Sequence, residues 1–207
     1  MIDEGYIKFK IDWTKAPPVT CNIDELIAVR NRLYAMGLIG FYEEHQVGYG
    51  NISLKLPEKG KFIVSGTQTG GISVLDRSHF TAVHDYNLEE NHLSCRGPVK
   101  ASSESLTHAA VYACSPDIKA IIHVHTFGLW EWMLKQFPFT KESIPYGTPE
   151  MAMEVMRLYR ETNLATVKSF AMAGHEEGIF TFGATLTEAM EWLQKALDGY
   201  RATLEQA

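Results

Sequence analysis

Ile118-Lys119-Ala120-Ile121-Ile122-His123-Val124-His125 is the stretch on which the reading of this chain turns. Ile121, Ile122 and Val124 are β-branched and apolar, so residues 118–125 are expected to form a buried strand. A strand sends residues i and i+2 to one face, so His123 and His125 point the same way while Val124 packs the other. Two neutral imidazoles on one face make a claw for a divalent metal, and imidazole suits zinc. Two histidines making ordinary polar contacts at a strand end would show the same spacing.

A third ligand is needed, and His175 is the candidate. It sits in Ala173-Gly174-His175-Glu176-Glu177-Gly178, a turn between strands expected at about 166–172 and 178–182, where a side chain can project into a cleft. Alone it would read equally as a surface turn histidine. His45, His79, His84, His92 and His108 lack a comparable setting, although His108 shares a helix with Glu104.

Upstream of the claw, Lys100-Ala101-Ser102-Ser103-Glu104 opens a helix expected over about 103–113. One serine would cap the orphan N–H groups. Two in succession, followed by an acid, also form an anion site from hydroxyls, free N–H groups and the positive end of the helix dipole. Gly48-Tyr49-Gly50-Asn51-Ile52-Ser53, just before an expected strand, and Ser65-Gly66-Thr67-Gln68-Thr69-Gly70-Gly71, just after one, could complete it. Glycine lets backbone N–H groups approach a ligand, and hydroxyls donate without charge. Plain turns would have the same composition.

Working outward, residues 6–13 alternate and suggest a leading strand ended by Pro17-Pro18. Asn22 with Glu25 suggests a capping box for a helix whose apolar stripe is Leu26, Val29, Leu33 and Met36, stopped by Gly37 and Gly40. Strands are expected at 52–56, 62–64 and 80–86. Thr148-Pro149-Glu150 starts a helix with a hydroxyl cap and Pro in the first turn. The last helix opens with Thr185 and Glu188 as a capping box and is expected to bury Leu186, Met190, Leu193, Leu197 and Leu204. Strand runs with flanking helices suggest one layered α/β or α+β domain, spanning residues 1–207, with a largely antiparallel sheet.

With 207 residues, 45% hydrophobic and 21% charged, the chain has the profile of an ordinary globular domain. A net charge of -6 without a basic run argues against nucleic acid or an anionic membrane as a partner. Met1-Ile2-Asp3-Glu4-Gly5 has neither a basic nor an apolar leader region, so a cytoplasmic location is expected. Cys21, Cys95 and Cys114 suggest no disulfide framework and read as small buried hydrophobes.

Taken in order, these segments resemble the class II aldolase/adducin family. The matching stretches are Gly50-Asn51-Ile52-Ser53, the Ser65 to Gly70 loop, and Ser102-Ser103-Glu104 with His108 and Tyr112. Pro116-Asp117 before His123-Val124-His125, Pro145-Tyr146-Gly147-Thr148, and His175 with Gly178 to Gly183 continue the match, which runs from about residue 23 to 200. The resemblance implies an α/β fold, a three-layer α/β/α sandwich around a mainly antiparallel sheet. It implies Zn2+, or another divalent transition metal, on His123, His125 and His175, and Glu104 as catalytic acid/base. Asn51, Ser65, Gly66, Thr67, Thr69, Gly70, Ser102 and Ser103 would bind the substrate phosphate.

The implied activity is that of an aldehyde-lyase (aldolase) cleaving a small ketose or ketose phosphate through a metal-held enediolate. An epimerase, dehydratase or decarboxylase on the same metal, or a non-catalytic adducin-like binding protein, are the alternatives. The resemblance also implies a homo-oligomer, a tetramer in many of the family's enzymes. The sequence departs from the family pattern in having no tyrosine between His125 and Tyr146, and Glu176-Glu177 where glycine usually follows the histidine directly. Little tail remains before Ala207 to reach a neighbouring site.

Overall fold

The structure is a computed structural model in which residues 6–58 and 60–206 are described. The leader reading of Met1 to Gly5 lies outside the described residues.

Strand β8 (Ala120–His125) is buried along its whole length, as its apolar β-branched composition requires. It lies between β4 (Asn51–Lys55) and β10 (Gly178–Gly183), antiparallel to both. Further strands are β1 (Lys10–Lys15), β5 (Phe62–Ser65), β6 (Phe80–Asn87), β7 (His92–Gly97) and β9 (Ser169–Ala171). Among the described residues they form an eight-stranded sheet in the order β1-β7-β6-β5-β4-β8-β10-β9, in which only β1 and β7 pair in parallel. A separate hairpin joins β2 (Gly40–Tyr42) and β3 (Val47–Tyr49).

Strand alternation divides the apolar side chains between two cores. Ile121 and Phe180 pack on one face with α2 (Ser105–Cys114), α4 (Pro149–Glu161) and the short α5 (Leu164–Val167). Ile122, Val124 and Ile179 pack on the other with α1 (Asp24–Ala35), α3 (Phe127–Gln136) and α6 (Leu186–Leu204). Each fully buried side chain of this kind stabilises the fold by about 1.5–3 kcal/mol. The result is the expected α/β/α sandwich around a mainly antiparallel sheet. None of the helices is long and apolar enough to cross a membrane, among the described residues.

Local rules account for most element ends. Thr148 Oγ1 accepts from the Met151 N–H at 3.3 Å with Pro149 in the first turn. Thr185 Oγ1 accepts from Glu188 N–H at 3.0 Å, and the Glu188 carboxylate reaches back to Ala184 N–H at 2.6 Å. This is the expected box displaced by one residue at its return bond.

Several expectations are corrected. The leading strand is Lys10–Lys15 rather than 6–13, because pairing with β7 sets its limits. Asn22 accepts from Asp24 N–H at 2.9 Å, but Ile23 is the cap residue of α1 and no box with Glu25 forms. The buried stripe of α1 is Leu26, Arg30 and Leu33, with Val29 half-buried and Met36 exposed. Residues 164–167 are helical where a strand was expected from 166. Leu204 is 58% exposed because α6 runs past the sheet it covers. Cys21 is exposed and Cys114 half-buried, so only Cys95 behaves as a buried hydrophobe.

Candidate active site

The strand period does what the sequence requires at β8. Ile121, His123 and His125 share the face toward α2, and the neighbouring strands set Asn51 and Phe180 opposite His123 and Gly178 opposite His125. His175 enters from the turn between β9 and β10. Its backbone N–H donates to Met172 at 3.1 Å, and its carbonyl accepts from Gly178 N–H at 3.0 Å. All three histidines are buried, and their ligand nitrogens lie within 4.8 Å of one another.

The donor set fits a divalent cation. His123 Nδ1 sits 3.0 Å from the Ile179 carbonyl, which can only accept, so Nδ1 carries the proton. The His125 Nδ1 faces Tyr42 OH at 3.4 Å, and that hydroxyl donates to the Glu177 carboxylate. The two Nε2 atoms face each other at 3.0 Å. Two such nitrogens are joined either by one shared proton or by a cation between them. Burial first, then the neighbouring imidazoles, hold both pKa values well below 6.5. The rings are therefore neutral at physiological pH, the form that binds metal.

Glu104 is the cap residue at the start of α2, 2% exposed, with Thr107 Oγ1 donating to its Oε2 at 2.6 Å. The serines before it form a turn rather than helix, and Ser102 Oγ accepts from Glu104 N–H only at 3.4 Å. Their hydroxyls are thus weakly engaged as caps. Gly66 bridges Ala101, and Thr67 N–H donates to the Lys100 carbonyl at 3.0 Å, which draws the glycine-rich loop against Ser102 and Ser103. Gly48, Tyr49, Gly50, Asn51, the 66–70 loop, Ser102, Ser103, Glu104, His123 and His175 line one cleft. A Cβ on Gly70 would stand 2.3 Å from the Gly40 carbonyl and 2.7 Å from Gly48 Cα, so the two loops meet backbone to backbone only because glycines occupy these places.

The structure thus brings together Glu104, the three histidines, Asn51, Gly66, Thr67, Thr69, Gly70, Ser102 and Ser103. Ser65 is outside the lining: its Oγ accepts from Ile52 N–H at 3.2 Å and ties β5 to β4. Thr69 Oγ1 donates to the Gly66 carbonyl at 2.8 Å, so its hydroxyl shapes the loop.

Two residues that sequence reasoning passed over, and a third that it named without a role, stand at this site. Arg30, only 1% exposed, donates to the carbonyls of Thr69 at 2.7 Å, Gly70 at 3.0 Å, Ser73 at 3.4 Å and Ile72. Burial lowers its pKa to about 10, so it remains charged at neutral pH. Its signal was an arginine between Leu26 and Leu33 on a helix face. Tyr42 belongs to the β2–β3 hairpin, whose three-residue strands are too short to show a period. His108, signalled by its place one turn after Glu104 and by the family resemblance, is fully buried between Asn51 and Ser53.

Comparisons with known proteins bear on the family and the fold. The model of the Class II Aldolase and Adducin N-terminal domain matches residues 25–196. The Haemophilus influenzae 3-oxo-tetronate 4-phosphate decarboxylase is 29% identical over 173 residues, covering 73% of this chain and 75% of that protein. "Probable L-ribulose-5-phosphate 4-epimerase UlaF" of Mycoplasma pneumoniae is 35% identical over 78 residues, which is 38% of this chain and 30% of that protein's length. The crystal structure of L-fuculose-1-phosphate aldolase from Thermus thermophilus superposes with a TM-score of 0.62 at 21% identity, covering 87% of this chain and 91% of that one. At that identity the likeness speaks for the fold. With the family model spanning most of its length, the chain belongs to the class II aldolase and adducin family.

Proposed function

We propose that this chain is a metal-dependent lyase that cleaves a small ketose phosphate beside its carbonyl, with zinc held by His123, His125 and His175. The observation that carries this reading is the convergence of three imidazole ligand atoms within 4.8 Å, with two of these histidines lining a cleft shared with Glu104 and the glycine- and hydroxyl-rich loops. When bound, the metal would supply Lewis acidity at the substrate's carbonyl oxygen. Glu104 would move the proton at the adjacent carbon, its carboxylate held in place by Thr107. Asn51, Gly66, Thr67, Thr69, Gly70, Ser102 and Ser103 would bind the phosphate through N–H and O–H groups, assisted by the N-terminal end of α2. The family resemblance extends the proposal to a cytoplasmic homotetramer.

A second reading is decarboxylation of a phosphorylated keto acid. It is favoured by the alignment with the Haemophilus decarboxylase, which spans 75% of that protein. The segment 126–145 also lacks the tyrosine that the aldolase pattern carries. Glu104 would protonate the same carbon in either reaction.

Metal-loaded protein in deuterated water, given dihydroxyacetone phosphate and no aldehyde, should exchange one carbon-bound proton beside the carbonyl stereospecifically. Glu104→Gln should keep the metal and slow exchange by about 10²–10⁴-fold. Carbon dioxide release from a 3-oxo acid 4-phosphate, without that exchange, would move the assignment to the second reading. Absence of both reactions in metal-loaded protein would overturn the proposal.

A further inference from the structure

The face of β4 that looks toward α2 carries two polar residues, Asn51 and Ser53, and α2 presents His108 and Tyr112 against them. The strand period of two and the helix spacing of four bring these groups into one buried row. His108 Nε2 lies 2.6 Å from Asn51 Oδ1, His108 Nδ1 lies 2.7 Å from Ser53 Oγ, and Ser53 Oγ lies 2.7 Å from Tyr112 OH. Burial pulls the His108 pKa down to about 3 and pushes the Tyr112 phenol up, so both are neutral at physiological pH.

A neutral imidazole has one N–H and each hydroxyl has one proton, so the row has two self-consistent directions. In the first, Tyr112 donates to Ser53, Ser53 donates to His108 Nδ1, and His108 Nε2–H donates to Asn51 Oδ1. The Asn51 amide N–H2 is then what remains for the cleft that Asn51 lines. In the second direction every bond reverses and Asn51 turns its carbonyl oxygen to the cleft. The Tyr112 proton must then reach the Lys119 carbonyl, at 3.4 Å, the longest link in the row. The first direction satisfies the same buried proton at 2.7 Å. It is the better one, because a buried O–H without a good acceptor is costly.

We propose that His108 is a positioning residue that sets specificity: with Ser53 and Tyr112 it locks the Asn51 amide so that the cleft meets an N–H donor pair, which selects an anionic phosphate oxygen over a neutral hydroxyl at that place. The selectivity rests on the phosphate reading given above, whereas the direction of the row does not. A flipped Asn51 would put a carbonyl oxygen against the anion and invert the preference.

Two measurements on the metal-loaded full chain test this. Ring-¹⁵N-labelled histidine spectra should show His108 as the Nε2–H tautomer with Nδ1 unprotonated; an Nδ1–H ring overturns the proposal without any substitution. Titration with glycerol 3-phosphate should show His108→Phe about tenfold weaker or more at unchanged metal content, the usual worth of a charge-assisted hydrogen bond. His108→Gln, whose amide can still donate to Asn51, should recover most of that loss. Affinity unchanged in His108→Phe would overturn the positioning role. A wild-type chain that does not bind glycerol 3-phosphate would overturn the phosphate reading and the selectivity with it, while the tautomer would still report the direction of the row.

Discussion

His123 Nδ1–H donates to the backbone carbonyl of Ile179 at 3.0 Å, a bond across two paired strands whose acceptor no side-chain substitution can remove. It leaves Nε2 as the atom turned toward His125. A main-chain partner of this kind fixes both the tautomer and the ring plane before any metal arrives.

The first prediction concerns that metal. Purified protein should bind close to one divalent transition metal ion per chain, zinc by preference, read by elemental analysis. His123→Ala and His175→Ala should each be nearly metal-free yet retain the far-UV dichroism of the wild type. Because metal binds the folded form, free metal at about 100 times its Kd should stabilise the wild type by about 2.7 kcal/mol and leave His175→Ala unmoved. A His175→Ala variant with full metal content would assign the third ligand elsewhere.

Gly178 supplies a test of geometry. A Cβ there would stand 2.5 Å from His175 Cδ2 and 3.4 Å from His123 Cε1. Gly178→Ala should displace the His175 ring and weaken metal about tenfold or more, in the range seen when groups supporting metal ligands are disturbed. Competition with a chromophoric chelator measures this, and unaltered affinity would show that the turn carrying His175 yields without cost.

Arg30 links stability to the cleft. Removing it strands the carbonyls of Thr69, Gly70, Ile72 and Ser73 in a buried setting. Arg30→Leu should cost at least about 1–3 kcal/mol in urea denaturation, the usual effect of leaving a buried acceptor unsatisfied. Arg30→Lys should also destabilise, because an ammonium cannot reproduce the planar fork. A loss under about 1 kcal/mol in Arg30→Leu, the scale of a single ordinary hydrogen bond, would mean that the loop finds other donors.

The pH dependence of the metal-free protein follows from its buried imidazoles. His108 is lowered to about 3, and His123 and His125 well below 6.5, chiefly by burial. Below about pH 6.5 the unfolded chain binds protons that the folded chain excludes, so stability falls as the pH is lowered through that value toward the folded ones. These groups contribute no slope above it. Urea midpoints in the presence of a chelator should therefore be level at pH 7–8 and decline from about pH 6.5 downward, less steeply in His108→Phe. A level midpoint from about pH 7 to about pH 5 would contradict the buried neutral state.

Local periodicity was enough to read much of this fold. Ile121, Ile122 and Val124 announced a buried strand, and its period of two put His123 and His125 on one face because alternate side chains must point alike. Thr148 and Thr185 announced helix starts because a hydroxyl beside free N–H groups has one local use. The last helix was legible over Leu186, Leu193 and Leu197, but Leu204 was not, since nothing local shows where the sheet beneath it ends. The hairpin Gly40–Tyr49 was missed because its three-residue strands are too short to show a period, and the strand His92–Gly97 was missed because its alternation rests on only two apolar residues, Leu93 and Cys95. The same limit applied at the cleft. Arg30 and His108 looked like an arginine and a histidine on ordinary helices, because what distinguishes them is a set of partners 39 to 43 and 55 to 57 positions away. Spacing along a chain governs which way a side chain points, whereas what it meets there depends on how distant segments pack.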